Sequence, residues 1–175
     1  MPIYLKSVII TKKKHYILPA FNTTNLEMTY AIANGLMEAD LPGYIQISSN
    51  NLRLSNPYII AEIARDAVKN SDTPIGLHLD HGKSFEDVKA CVDAGFTSIM
   101  IDASHLPFEE NVKECRRAAE YCHFYGLPVE AELGALQGKE EDIVNAQAAT
   151  FSPYPSEMST ASALILRSTF LFLRK

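Results

Sequence analysis

The stretch Leu77-His78-Leu79-Asp80-His81-Gly82 decides how this chain is read, because an apolar run ends there by setting a carboxylate beside an imidazole. Working outward, two more segments end the same way. Ser98-Ile99-Met100-Ile101-Asp102 and Pro128-Val129-Glu130-Ala131-Glu132 are short apolar or alternating runs that close on an acid. Upstream, the runs near Ile17 to Phe21 and Tyr44 to Ile47 give way to Asn22 and Ser48. The closing residues Asn22, Ser48, Asp80, Asp102 and Glu132 are separated by 26, 32, 22 and 30 residues, the length of one β-α unit per step.

Between these runs, helical spacing fits Asn25 to Ala39, Pro57 to Val68, Phe85 to Ala94 and Phe108 to Tyr125. The punctuation agrees: Asn25 and Ser84 are N-cap residues, Asn56 precedes Pro57 at a helix start, and Gly95 and Gly126 stand where helices end. Strict alternation of strand and helix implies a parallel α/β sheet, either doubly wound or a (β/α)8 barrel. The barrel is favoured because functional residues close five successive strands, and barrel sites are built at that end. No G-x-G-x-x-G or phosphate-loop motif supports the nucleotide-binding alternative.

With 175 residues and 47% hydrophobic content the chain can bury one core, and its net charge of −5 gives no footprint for nucleic acid or an anionic membrane. The Lys12-Lys13-Lys14 run reads as a solvated turn or helix end. Cys91, Cys115 and Cys122 fall in the helical segments without a C-x-x-C pair and read as reduced core thiols of a cytoplasmic protein. No export signal is visible at the start.

Of the candidate site residues, His81 carries the most weight. Asp80, Asp102 and Glu132 converge on its end of the sheet, and several anionic groups around one imidazole call for a cation or shared protons. His78 lies two residues before Asp80, on the same strand face, and reads as a satisfied core histidine. His105 sits in a loop, and His15 and His123 read as surface or helix-end residues. Gly134 to Asp142 reads as a polar loop, either plainly exposed or able to bring Glu140 to the site as a base.

At these residues the sequence resembles the class II, zinc-dependent fructose-bisphosphate and tagatose-bisphosphate aldolases. The matching segments are Pro19-Ala20-Phe21-Asn22 with Asn25-Leu26-Glu27, LHLDHG (77–82), GFTSIMIDASHLPFEENV (95–112), VEAELG (129–134) and GKEED (138–142). The resemblance implies a (β/α)8 barrel lyase of carbohydrate metabolism and glycolysis. Such enzymes reversibly cleave a ketose 1,6-bisphosphate to dihydroxyacetone phosphate and an aldehyde, with Zn2+ as Lewis acid. Residue by residue, it implies Asp80 and Glu140 as catalytic acid and base. It also implies His81, Asp102 and Glu132 at or near the metal, and Asn22 and Ser48 against substrate. The resemblance implies a sugar bisphosphate as partner and a family of homo-oligomers, with the assembly of this chain left open, and the charge leaves no place for nucleic acid or membrane.

After Asn145 the motifs stop. We therefore expect a partial barrel of about five strands and four to five helices over residues 1–145, with a divergent tail over 146–175. In the tail, Ala161 to Leu173 reads as a short helix and Phe151 to Met158 as irregular. No counterparts of the family's two further zinc histidines or its phosphate loops are found. The zinc site is thus expected to be incomplete, the chain inactive by itself, and the sheet open at both edges. A non-catalytic fragment or interaction module, and a barrel isomerase using Asp80 and Glu140, are the alternative functions.

Overall fold

The computed structural model describes residues 18–132 in full, together with the backbones of residues 138–140, 143–145 and 169–172. Its elements alternate as the spacing predicts, except that an unpredicted short helix follows the second strand: β1 (Ala20–Asn22), α1 (Leu26–Glu38), β2 (Gly43–Ser48), the short α2 (Ser49–Leu52), α3 (Pro57–Val68), β3 (Ile75–Gly82), α4 (Phe85–Ala94), β4 (Ser98–Ile101), α5 (Phe108–Phe124) and β5 (Val129–Glu132). These are followed by β6 (Gly138–Glu140), β7 (Ile143–Asn145) and β8 (Thr169–Phe172). Strands β1 to β5 pair in sequence order, all parallel. The fold is α/β, a partial barrel.

Local chemistry sets the helix ends. The Asn25 side chain accepts the Met28 amide at 2.9 Å, and Ser84 accepts that of Asp87 at 3.1 Å, each satisfying a donor that the first helical turn leaves unpaired. Pro57 opens α3, where a missing N–H costs nothing. Gly95 ends α4 at φ +89°, a left-handed conformation that glycine adopts without a Cβ clash.

Strand alternation sorts the sheet into two unlike faces. Ile45, Ile47, Leu77, Leu79, Ile99, Ile101, Val129 and Ala131 join one apolar cluster with residues of the helices, among them Leu36, Ile60, Val88 and Cys122. Fully burying a side chain the size of Ile47, Leu79 or Ile99 contributes roughly 1.5–3 kcal/mol, so this layer is the main source of stability. The opposite face carries Tyr44, Gln46, Ser48, His78, Asp80, Ser98, Met100, Glu130 and Glu132. It is therefore polar, and its polarity rises toward the C-terminal ends of the strands.

Two expectations are corrected. Within the segment read as a helix, Thr169–Phe172 form a strand that pairs in parallel with β5, so among the described residues the sheet has six strands and its edge beyond β5 is filled. A run of four residues is too short for periodicity to separate helix from strand, and the partner that decides it is distant in sequence. Within the segment read as a loop, Gly138–Glu140 pair antiparallel with Ile143–Asn145 as a small separate hairpin. The expectations for Phe151 to Met158, for the rest of the tail and for the Lys12-Lys13-Lys14 run lie outside the described residues.

Candidate active site

The site begins with an irregularity in β3. Leu79 pairs with Ile99 and Gly82 with Ile101, so three steps along β3 match two along β4 and one residue is extra. This is a β-bulge, and His81 takes up the strain at φ +50°. A non-glycine residue in that region costs on the order of 1–3 kcal/mol and persists only where its surroundings hold it. In a regular strand Asp80 and His81 would point to opposite faces. The extra residue brings His81 round to join groups from β4 and β5.

His81 Nδ1 lies 2.9 Å from Asp102 Oδ2 and 3.4 Å from Glu132 Oε2. One ligating atom from each of His81, Asp102 and Glu132 lies within 4.8 Å of the others. Both carboxylates are largely shielded from solvent, with side-chain exposures of 13% and 12%. The hydrogen bond to Asp102 is the main reason that the His81 imidazole is held protonated up to about 9, with burial opposing it and the charges of Asp80, Asp102 and Glu132 adding to it. Burial pushes the Asp102 carboxyl up. Hydrogen bonds from His81 and from the Ser104 hydroxyl and amide outweigh this and bring it down to about 2.

Asp80 belongs to a second, adjoining group. Asn22 Nδ2 donates to Asp80 Oδ2 at 3.2 Å, Gln46 Nε2 donates to the same oxygen at 3.1 Å, and Gln46 also donates to Asn22 Oδ1 at 2.6 Å. The two amides hold one carboxylate oxygen in place. Ser48 is buried at the end of β2, and its Oγ has no hydrogen-bond partner among the described residues. Glu140 lies on β6, but its side chain falls outside the described residues.

Below this rim sits a buried polar layer. His78 Nδ1 bonds Ser98 Oγ at 2.9 Å, its ring tilts against that of Tyr44, and its Nε2 lies 3.9 Å from Glu130 Oε2. Burial lowers the His78 imidazole to about 4, so it stays neutral at ordinary pH, as a core histidine. Burial, followed by the Asp80 charge, raises Glu130 to about 7. His105 is exposed and lies outside this cluster.

Sequence reasoning did not find Gln46, Ser104 or Asn111, whose side-chain amide donates to the Glu132 carbonyl at 3.0 Å. The signal for Gln46 was available as a polar residue inside the apolar run Tyr44 to Ile47. Nothing in the sequence ties Asn111 to Glu132.

An imidazole nitrogen and two carboxylate oxygens this close together are a donor set for a divalent cation such as zinc. The anionic surroundings that keep a proton on His81 would favour such a cation as well. Comparison with known proteins gives the family. Residues 5–164 match the family described as fructose-bisphosphate aldolase class-II. The chain belongs to this family.

The chain is 42% identical over 144 residues to a fructose-bisphosphate aldolase of Staphylococcus aureus (strain Mu50), a match covering 80% of this chain and 50% of the relative. Among solved structures, the YdjI aldolase from Escherichia coli K12 aligns with a TM-score of 0.66 at 31% identity, covering 72% of this chain and 49% of that one. The fructose-bisphosphate aldolase of Campylobacter jejuni aligns with a TM-score of 0.76 over 94% of this chain and 55% of its own, and at 18% identity it supports the fold alone. The chain thus spans about half the length of these relatives. The family match continues past Asn145, where the motifs read from the sequence stop. Among the described residues no helix is long and apolar enough to cross a membrane.

Proposed function

We propose that this site serves the reversible aldol cleavage of a ketose 1,6-bisphosphate, fructose or tagatose bisphosphate, to dihydroxyacetone phosphate and an aldehyde. The observation that carries the reading is the pairing of two groups at one strand edge: the His81, Asp102 and Glu132 donor set, and beside it Asp80 held by Asn22 and Gln46. In this reading His81, Asp102 and Glu132 hold Zn2+. The metal, when bound, supplies Lewis-acid polarisation of the substrate oxygens, without which a carbon beside a ketone is too weak an acid to ionise near neutral pH.

The chain's own residues supply the rest. Asp80, fixed through one oxygen, has its other oxygen available to exchange a proton with the aldehyde oxygen. Glu140 from the β6–β7 hairpin is the base for the carbon-bound proton. Ser48, with its buried unpartnered hydroxyl, and Asn22 contact the substrate. The three buried, unpaired thiols fit a cytoplasmic location.

Among the described residues one imidazole joins the donor set, where the resemblance implies three. We therefore read this chain as binding metal and dihydroxyacetone phosphate more weakly than the family's whole proteins, and as lacking turnover by itself. A non-catalytic interaction module is the second reading, favoured by the single imidazole in the donor set of the described residues. One pair of measurements separates these. Zn2+-dependent binding of a phosphorylated hydroxamate that mimics the enediolate of dihydroxyacetone phosphate, lost in His81→Ala, is expected from a family site; its absence in the parent chain leaves the interaction module. A coupled assay with fructose 1,6-bisphosphate and Zn2+ should show no cleavage above the metal blank, and cleavage that disappears in Asp80→Ala would overturn the inactive reading.

A further inference from the structure

Ser49 lies one residue beyond the end of β2, and its side chain is buried. Its hydroxyl donates to the His81 carbonyl at 2.7 Å and accepts the Lys83 amide at 3.2 Å, so one side chain grips the backbone on both sides of Gly82. The Lys83 amide is shared with Asp87 Oδ2, also at 3.2 Å. The bond to the His81 carbonyl is therefore the contact for which Ser49 matters most.

We infer that Ser49 is a positioning residue that fixes the left-handed backbone of His81 and so aims the imidazole at Asp102 and Glu132. The bulge is held from the β4 side by the Asp102 amide, which donates to the Gly82 carbonyl at 2.8 Å. Any residue but proline at position 102 could make that bond. From the β2 side the hold is a side chain, and it must donate and accept at once, which a hydroxyl does and a methyl does not. Residues that orient a metal ligand without touching the metal are needed for affinity because they set the ligand's direction before the metal arrives. This role rests on the reading of His81, Asp102 and Glu132 as a divalent-cation site.

The test uses the full chain carrying Ser49→Ala or Ser49→Thr, with Ser71→Ala, whose hydroxyl accepts the Thr73 amide elsewhere, as a control. Co2+ affinity is read by calorimetry and by the visible d–d bands. Ser49→Ala should weaken Co2+ by about tenfold or more, while Ser49→Thr and Ser71→Ala stay within about twofold. The second readout needs no metal: the ring 15N resonances of His81, assigned by their loss in His81→Ala, should shift in Ser49→Ala and return in Ser49→Thr. If the parent chain binds no Co2+, the cation reading fails and the Ser49 role is judged on the 15N shifts alone. If Ser49→Ala does not fold, Ser49→Cys, a weak donor of similar size, takes its place in both readouts. Unchanged affinity and unchanged 15N shifts in the Ala variant, or equal effects of Ala and Thr, would overturn the assignment.

Discussion

Gly82→Ala should damage this protein out of proportion to the single methyl group that it adds. A Cβ at Gly82 would lie 2.8 Å from the Met100 carbonyl oxygen and 2.7 Å from Leu79 Cδ2. The first obstacle is backbone, so β3 and β4 must separate by several tenths of an ångström at the bulge. That movement strains the bond from the Asp102 amide to the Gly82 carbonyl, whose loss costs about 1 kcal/mol. Overpacking in a filled interior costs a further 1–3 kcal/mol or so, which gives a total of roughly 2–4 kcal/mol. The same movement carries Asp102 away from His81, so metal affinity should fall together with stability. Gly35→Ala is the matched control. Nothing lies within 4 Å of a Cβ built there, and the residue is in the exposed interior of α1, where alanine should stabilise by roughly 0.5–1 kcal/mol. Urea denaturation of the two variants beside the parent should thus give shifts of opposite sign. A Gly82→Ala midpoint equal to that of the parent would refute the tight-bulge account.

The hydrogen bond between His81 and Asp102 gives the metal-free chain a pH-dependent stability. Because the folded-state value of His81 is raised, its contribution is fully present below about 6.5 and is lost as pH rises through about 9. With the ring 32% exposed the effect is discounted to on the order of 1 kcal/mol. Asp102→Asn in the presence of a chelator should therefore destabilise more at about pH 6 than at about pH 10, and an equal loss at both would contradict the assignment. His81→Ala should abolish Co2+ binding, whereas His105→Ala should leave it unchanged; the reverse pattern in calorimetry would place the cation elsewhere. Cys91, Cys115 and Cys122 are buried, and burial raises all three thiols, those of Cys115 and Cys122 to about 12. A thiol reagent should find none of the three in the native chain and all three in denaturant, and fast labelling of any native thiol would contradict their place in the core.

The sequence by itself determined the order of β-α units, the helix ends and the row of acids at the strand ends. These follow from short-range rules: side-chain period, capping chemistry, and the special backbone needs of proline and glycine. Asn25, Ser84 and Gly95 could be read locally because the groups they satisfy lie within four residues of them. The tertiary structure alone decided which acid meets which partner. Asp80 and His81 are neighbours in sequence, yet Asp80 turns to Asn22 and Gln46 while His81 turns to Asp102 and Glu132, because the extra residue in β3 breaks the two-residue alternation between them. The pairing of Thr169–Phe172 with β5, and the grip of Ser49 on a carbonyl 32 residues away, were equally out of reach. Each of these contacts has a backbone group of a distant segment as a partner, and no residue type marks such a group in advance.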